Sequence, residues 1–192
     1  MQNNINSVSF QAKLKPITKI KNKQAFTEAR NIFTEATKNY PNDSIYITEN
    51  AVGETVIRLS NNTGNGLYSK REIGIRNIDE QINEMGSDKF AKKLVNMFKA
   101  LKLQENVTGK LTDIKTSLLR LENMMEFNKR AANYFKLEGK DIMANRYNVL
   151  ANNNKGKISK LESEQQKFAE EYNNIINDLS KQYKEIIQLQ IR

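Results

Sequence analysis

Apolar positions between residues 107 and 172 recur with the spacing of two paired helices. Val107, Leu111, Ile114, Leu118, Leu121, Met125, Asn128, Ala132 and Phe135 step four, three, four, three, which is a heptad seam. Ala144, Tyr147, Ala151, Asn154, Ile158, Leu161, Gln165, Phe168 and Tyr172 step three, four, three, four. The two series mirror each other about a point between Gly139 and Lys140, pairing Phe135 with Ala144 at one end and Val107 with Tyr172 at the other. Antiparallel helices set the two kinds of seam position against each other in every layer, so the pattern predicts a long, coiled-coil-like antiparallel hairpin. The turn chemistry agrees: Lys136 ends the first arm, Gly139 suits the left-handed residue past a helix end, and Asp141 suits the start of the second. Asn128, Gln165 and Gln182 are polar seam residues of the kind that fix register.

Before residue 77 the period changes. Val8, Phe10, Ala12 and Leu14 alternate with polar residues up to Pro16, an edge-strand pattern. Ala25, Ala29, Ile32, Phe33, Ala36 and Tyr40 follow at helical spacing, giving a first helix over residues 23–39. Ile45 and Ile47, then Thr55, Ile57 and Leu59, then Leu67, Ile73 and Ile75 mark three strands, separated by turns at residues 49–53 and 61–66. These imply a small α+β layer with a three-stranded antiparallel meander, covered by the first helix and open to residues 8–14 as a fourth strand. The expected organisation is a basic arm or edge strand over residues 1–22, the α+β layer over 23–76 and a helical hairpin or bundle over 77–192.

Asn77 with Glu80 forms a capping box, Gly86 interrupts the helix, and Ser87 caps an additional helix over residues 88–104 expected to pack on the hairpin. There Phe90, Leu94, Met97, Phe98 and Leu101 share one face while Lys92, Lys99 and Lys102 occupy the other. The second arm is expected to reach residue 190, with a kink where residues 152–157 are poor helix material. Its tail continues the seam as Ile175, Leu179, Gln182, Ile186 and Leu189, widened by Ile176, Tyr183 and Ile187. That stripe is wider than a two-helix seam needs, which makes Ile175, Ile176, Leu179, Tyr183, Ile186 and Ile187 the candidate partner-binding residues.

The chain has 192 residues, net charge +9, and neither histidine nor cysteine. Disulfides, thiolate nucleophiles, imidazole acid–base catalysis and His/Cys metal sites are therefore excluded. Residues 1–30 carry six basic residues against Glu28 alone, so more than half of the excess charge lies there. Lys13, Lys15, Lys19, Lys21 and Lys23 are candidate phosphate-contacting residues for sequence-independent nucleic-acid binding. No apolar run approaches the roughly 18 residues of a membrane span, and the start lacks the apolar core of a secretory signal. A cytoplasmic protein is expected, with a non-classical export signal in the acid-poor, Asn/Ser/Lys-rich start as the alternative.

Gly64-Asn65-Gly66 and residues 108–112 lack the remaining positions of a phosphate-binding loop. Glu162, Glu164, Glu170, Glu171 and Asp178 suit the exposed sides of the seam better than a metal site. Residues 131–139, followed by Ala144 and Ala151, resemble a single tetratricopeptide helix pair, in which small residues let helices approach and glycine makes the turn. The closing proline and any second copy are missing, and such arrays need about three repeats, so the resemblance implies only a tight helix turn. No convergent acid, base or nucleophile, cofactor site or metal site emerges. The expected function is a non-enzymatic helical interaction or scaffold module that binds a protein partner or self-associates. A nucleic-acid-binding accessory protein using the basic arm is the alternative.

Overall fold

A computed structural model describes residues 13–16, 19–40, 43–61 and 68–189, without side-chain placement for a few of them. The sequence expectations at residues 8–12 and 62–67 lie outside the described residues. The chain is mainly helical, with two long packed helices, a third shorter one and a small sheet. It divides into two compact units, one from residues up to Glu105 with Ile175–Gln190, the other Asn106–Asn174. No described helix is long and apolar enough to cross a membrane.

The first unit contains β1 (Lys13–Pro16), α1 (Lys23–Ala36), β2 (Asp43–Glu49), β3 (Thr55–Asn61) and β4 (Tyr68–Gly74). The four strands lie in sequence order. β2, β3 and β4 form the expected antiparallel run, but β1 pairs parallel to β2, with Leu14 opposite Ile45, so the sheet is mixed rather than a three-stranded antiparallel meander. The cause is α1: an intervening helix is the connection that returns a chain to run in the same direction, whereas a short turn can only reverse it. Pro16 is tolerated because β1 is an edge strand.

Register builds the core. Ile45 lies opposite Leu59, Ile47 opposite Ile57 and Ile57 opposite Ile73, and all of these side chains are buried. Asn22 caps α1 through its side-chain oxygen, which accepts from the Ala25 amide at 3.2 Å, and Phe26, Ala29 and Phe33 form its buried face. Phe98 receives the ring of Phe33 edge-on at 5.8 Å and that of Tyr40 at 5.0 Å.

Residues 88–104 do not form a separate helix. They belong to α2 (Ile78–Leu137), which departs from helical geometry inside its length only at Gly86, where φ is 80°. No Gly or Pro between Leu103 and Val107 breaks the helix, and Asn106, a residue type that can start one, lies inside it instead. α2 still buries Phe90, Leu94, Met97, Phe98 and Leu101 as expected. Lys92 and Lys99 are exposed, whereas Lys102 reaches Asp43 at 3.1 Å and Glu105 at 3.0 Å. Burial opposes the Lys102 charge, but its hydrogen bonds to Glu105 and Asp43 prevail and raise its pKa.

α3 (Asp141–Gln182) runs unbroken through residues 152–157 and stops eight residues short of the expected end; Lys184–Leu189 form a 3-10 turn. In this tail burial falls on Ile176, Ile186 and Leu189, while Ile175 is 47% exposed and Gln182 is exposed. The heptad step slips by one at the adjacent isoleucines, a four–four stutter from Phe168 through Tyr172 to Ile176.

In the second unit α2 and α3 form the hairpin. Every described seam position from Val107 to Phe135 and from Ala144 to Tyr172 is buried or half-buried, and nearly every other position is exposed. The turn is a Schellman motif: the Lys140 amide donates to the Phe135 carbonyl at 2.9 Å and the Gly139 amide to the Lys136 carbonyl at 3.1 Å. Gly139 takes φ 70°, the left-handed conformation that this motif requires.

Candidate interaction surface

The tail residues singled out from sequence are largely inside the first unit. Ile176 and Ile186 are fully buried, Leu179 and Tyr183 are half-buried, Ile175 is the exposed one, and the side chain of Ile187 lies outside the described residues. Polar contacts tie this segment down. The buried Lys93 ammonium donates to Gln81 Oε1 at 2.7 Å and to the Glu185 carboxylate; Gln104 Nε2 donates to the Leu189 carbonyl at 2.9 Å. Burial alone would raise the Glu185 pKa, yet the hydrogen bond and charge of Lys93, with a contribution from Arg76, bring it below the usual carboxylate value.

The five arm lysines are all exposed. Lys13 and Lys15 flank the buried Leu14 on β1, and Lys15 Nζ lies 5.1 Å from the centre of the Tyr46 ring. Lys19 and Lys23 border an open groove of about 400 Å³ with Phe26 and Arg30. Lys21 is positioned through its backbone, whose amide donates to both oxygens of Asp79. Such a set can meet phosphates, but it offers no arrangement for reading bases.

A different surface stands out on the hairpin, where the described structure leaves large apolar side chains in solvent: Leu119, Met124, Phe127, Tyr134 and Leu137 on the first arm, and Ile142, Val149 and Leu150 on the second. Phe127 is 65% exposed, and Leu137 and Ile142 beside the turn are 89% and 86% exposed. Four of them, Met124, Phe127, Tyr134 and Leu150, are ordered in position. Arg120, Met124, Phe127, Ala131 and Tyr134 step four, three, four, three, as the inner seam does, but from a neighbouring heptad position. Met143, Arg146, Leu150 and Asn153 step three, four, three on the other arm. In an antiparallel pair these positions flank the same side of the inner seam, so the hairpin carries a second, unfilled seam along one flank. Ala131 and Met143, half-buried, are its edge toward the core. Along the first arm, Leu119, Arg120, Asn123, Met124 and Phe127 line an open groove of about 610 Å³.

Charge is divided between the two flanks. Around the apolar side lie Arg120 and Arg146, and no acid occupies that side along residues 116–137 or 142–157; the same heptad positions carry Asp113, Glu138, Glu164 and Glu171 beyond that stretch. Glu122, Glu126, Lys129, Lys136 and Lys155 lie on the other side, where Lys129 pairs with Glu126 at 2.9 Å and, chiefly by that hydrogen bond, lowers its pKa. The hairpin ring contacts brace the seam rather than close the outer face: Phe135 stacks on Tyr147 at 5.4 Å, and Tyr134 meets Phe135 edge-on. Sequence reading passed over this flank because it followed the inner seam alone; the signal was the repeat of its spacing at Met124, Phe127 and Tyr134.

Among the described residues no group of Asp and Glu side chains is arranged to hold a metal ion. No protein-family model matches the chain, and no curated protein and no solved structure is significantly similar to it.

Proposed function

We propose that this chain is a non-enzymatic helical interaction module whose hairpin presents its outer flank to a protein partner. The observation that carries the reading is the ordered set of exposed apolar side chains centred on Met124, Phe127, Tyr134 and Leu150. Aromatic side chains bury about 150–250 Å² each, so Phe127 and Tyr134 alone leave on the order of 250 Å² in water. With Met124 and Leu150 the patch reaches the few hundred Å² at which exposed apolar surface on a monomer is often functional. Covering it contributes to association at roughly 25 cal/mol per Å² before ordering costs.

The test is substitution of both Phe127 and Leu150 by Asp, followed by affinity purification from the native host and sedimentation of the purified chain. Both residues are exposed, so helicity and melting are expected to stay close to wild type. The reading predicts loss of a co-purifying protein or of self-association. An unchanged set of co-purifying proteins together with an unchanged mass would refute it.

The exposed arm lysines favour one second reading, an accessory protein that holds nucleic acid through phosphate contacts. Replacing Lys13, Lys15, Lys19, Lys21 and Lys23 with Gln tests it, because such binding is salt-dependent and disappears with the charges.

A further inference from the structure

We infer that the outer seam of the hairpin is a seat for an acidic amphipathic helix of another protein, gripped at its borders by Arg120 and Arg146. This rests on the interaction-module reading and specifies the occupant. Three observations lead to it. The first is periodicity: both arms repeat the heptad step on the same flank, which forms the holes that the knobs of a third helix enter. A lipid surface has no use for such register. The second is relief. Ala131 lies between the larger Phe127 and Tyr134, and that small residue leaves the space in which another helix approaches closely.

The third observation is charge. Arg120 and Arg146 are exposed and form no ion pair with any described residue, and the acids at the same heptad positions, Asp113, Glu138, Glu164 and Glu171, lie beyond the apolar stretch at its ends. Their planar guanidinium forks match carboxylates in a bidentate way. A second copy seated with its apolar stretch on this one would bring arginines and no acid to that stretch, and like charges juxtaposed at an interface are unfavourable. An occupant with Leu or Ile on its seam and Glu or Asp beside it satisfies both the apolar and the charged parts of the flank.

A charge swap tests the assignment on the full chain. The probes are two synthetic peptides roughly four heptads long, enough to sustain a helix once docked, with Leu at the seam positions. One carries Glu at every flanking position and its twin carries Lys. Fluorescence anisotropy at low salt is expected to show the wild-type chain binding the Glu peptide at least about tenfold more tightly than the Lys twin. Arg120→Glu with Arg146→Glu is expected to reverse that order, and Phe127→Asp with Leu150→Asp to abolish both.

Equal affinity for the twins, preference for Lys, or binding of neither would overturn the inference. So would self-association through this flank that the Glu peptide does not displace, or capture by phosphatidylserine-containing vesicles that it does not compete with. The two levels separate cleanly. If Phe127→Asp with Leu150→Asp removes a partner or a dimer while the twins bind alike, the module reading stands and the acidic-helix inference falls. If those substitutions change no association at all, both fall.

Discussion

Phe135 and Tyr147 stack across the two arms with ring centres 5.4 Å apart and planes 11° from parallel. The contact joins adjacent layers at the closed end of the hairpin and fixes the register from which the remaining pairs follow. Lys110 over the ring of Phe168, at 4.9 Å, sits beside the layer expected for Leu111 and Phe168 at the other end.

That register makes Leu118 and Leu161 members of one layer. Cysteines placed at both positions are expected to form a disulfide within one chain, read as a monomer with altered mobility on non-reducing gels. Crosslinks formed only between chains would mean that the helices pair as an oligomer instead.

Gly139 has open space where a side chain would go, so replacing it is a backbone question alone. At φ 70° an L-residue is strained, and Gly139→Ala is expected to cost about 1–2 kcal/mol. A thermal melt of the hairpin signal checks this; an unchanged melt would show that the turn relaxes out of the Schellman geometry.

Ile175 and Ile186 separate the two sides of the tail. Ile186→Glu puts a carboxylate into a fully buried site and is expected to destabilise the first unit by about 3 kcal/mol or more. Ile175→Glu, on an exposed position, is expected to stay within about 0.5 kcal/mol of wild type. Urea titrations of both variants distinguish them, and equal losses would place Ile175 in the core.

The Lys93–Glu185 contact makes stability sensitive to acid. Because the Glu185 pKa is lowered on folding, its contribution is present above the unfolded carboxylate value of about 4.3 and is lost as pH falls through the folded value. Melting temperature is expected to fall on acidification over that window, less steeply in Glu185→Gln. Identical acid profiles for the two chains would count against the pairing.

The hairpin was readable in the sequence because a seam buried on one side admits few residue types at each step, and Gly139 marked the fold-back chemically. Other features depend on contacts that no local pattern encodes. Ile175 and Ile176 are adjacent and equally apolar, so only packing decides which one turns inward. The direction of β1 followed from where α1 delivered the chain, and the continuity of α2 past residue 104 hid behind a shift in its apolar face. The outer seam was written in the same spacing as the inner one, at Met124, Phe127 and Leu150. Exposure separates the two, since the inner series is covered and the outer is not.

Site-specific photocrosslinking in the native host tests the central claim most directly. A photoreactive phenylalanine analogue is placed at Phe127 or Leu150 on the outer seam and, as the control, at Lys129 or Asn152 on the opposite side of each arm. The account predicts a discrete crosslinked protein from Phe127 and Leu150 and none from Lys129 or Asn152. Crosslinks from the control positions alone, or equally from all four, would contradict it.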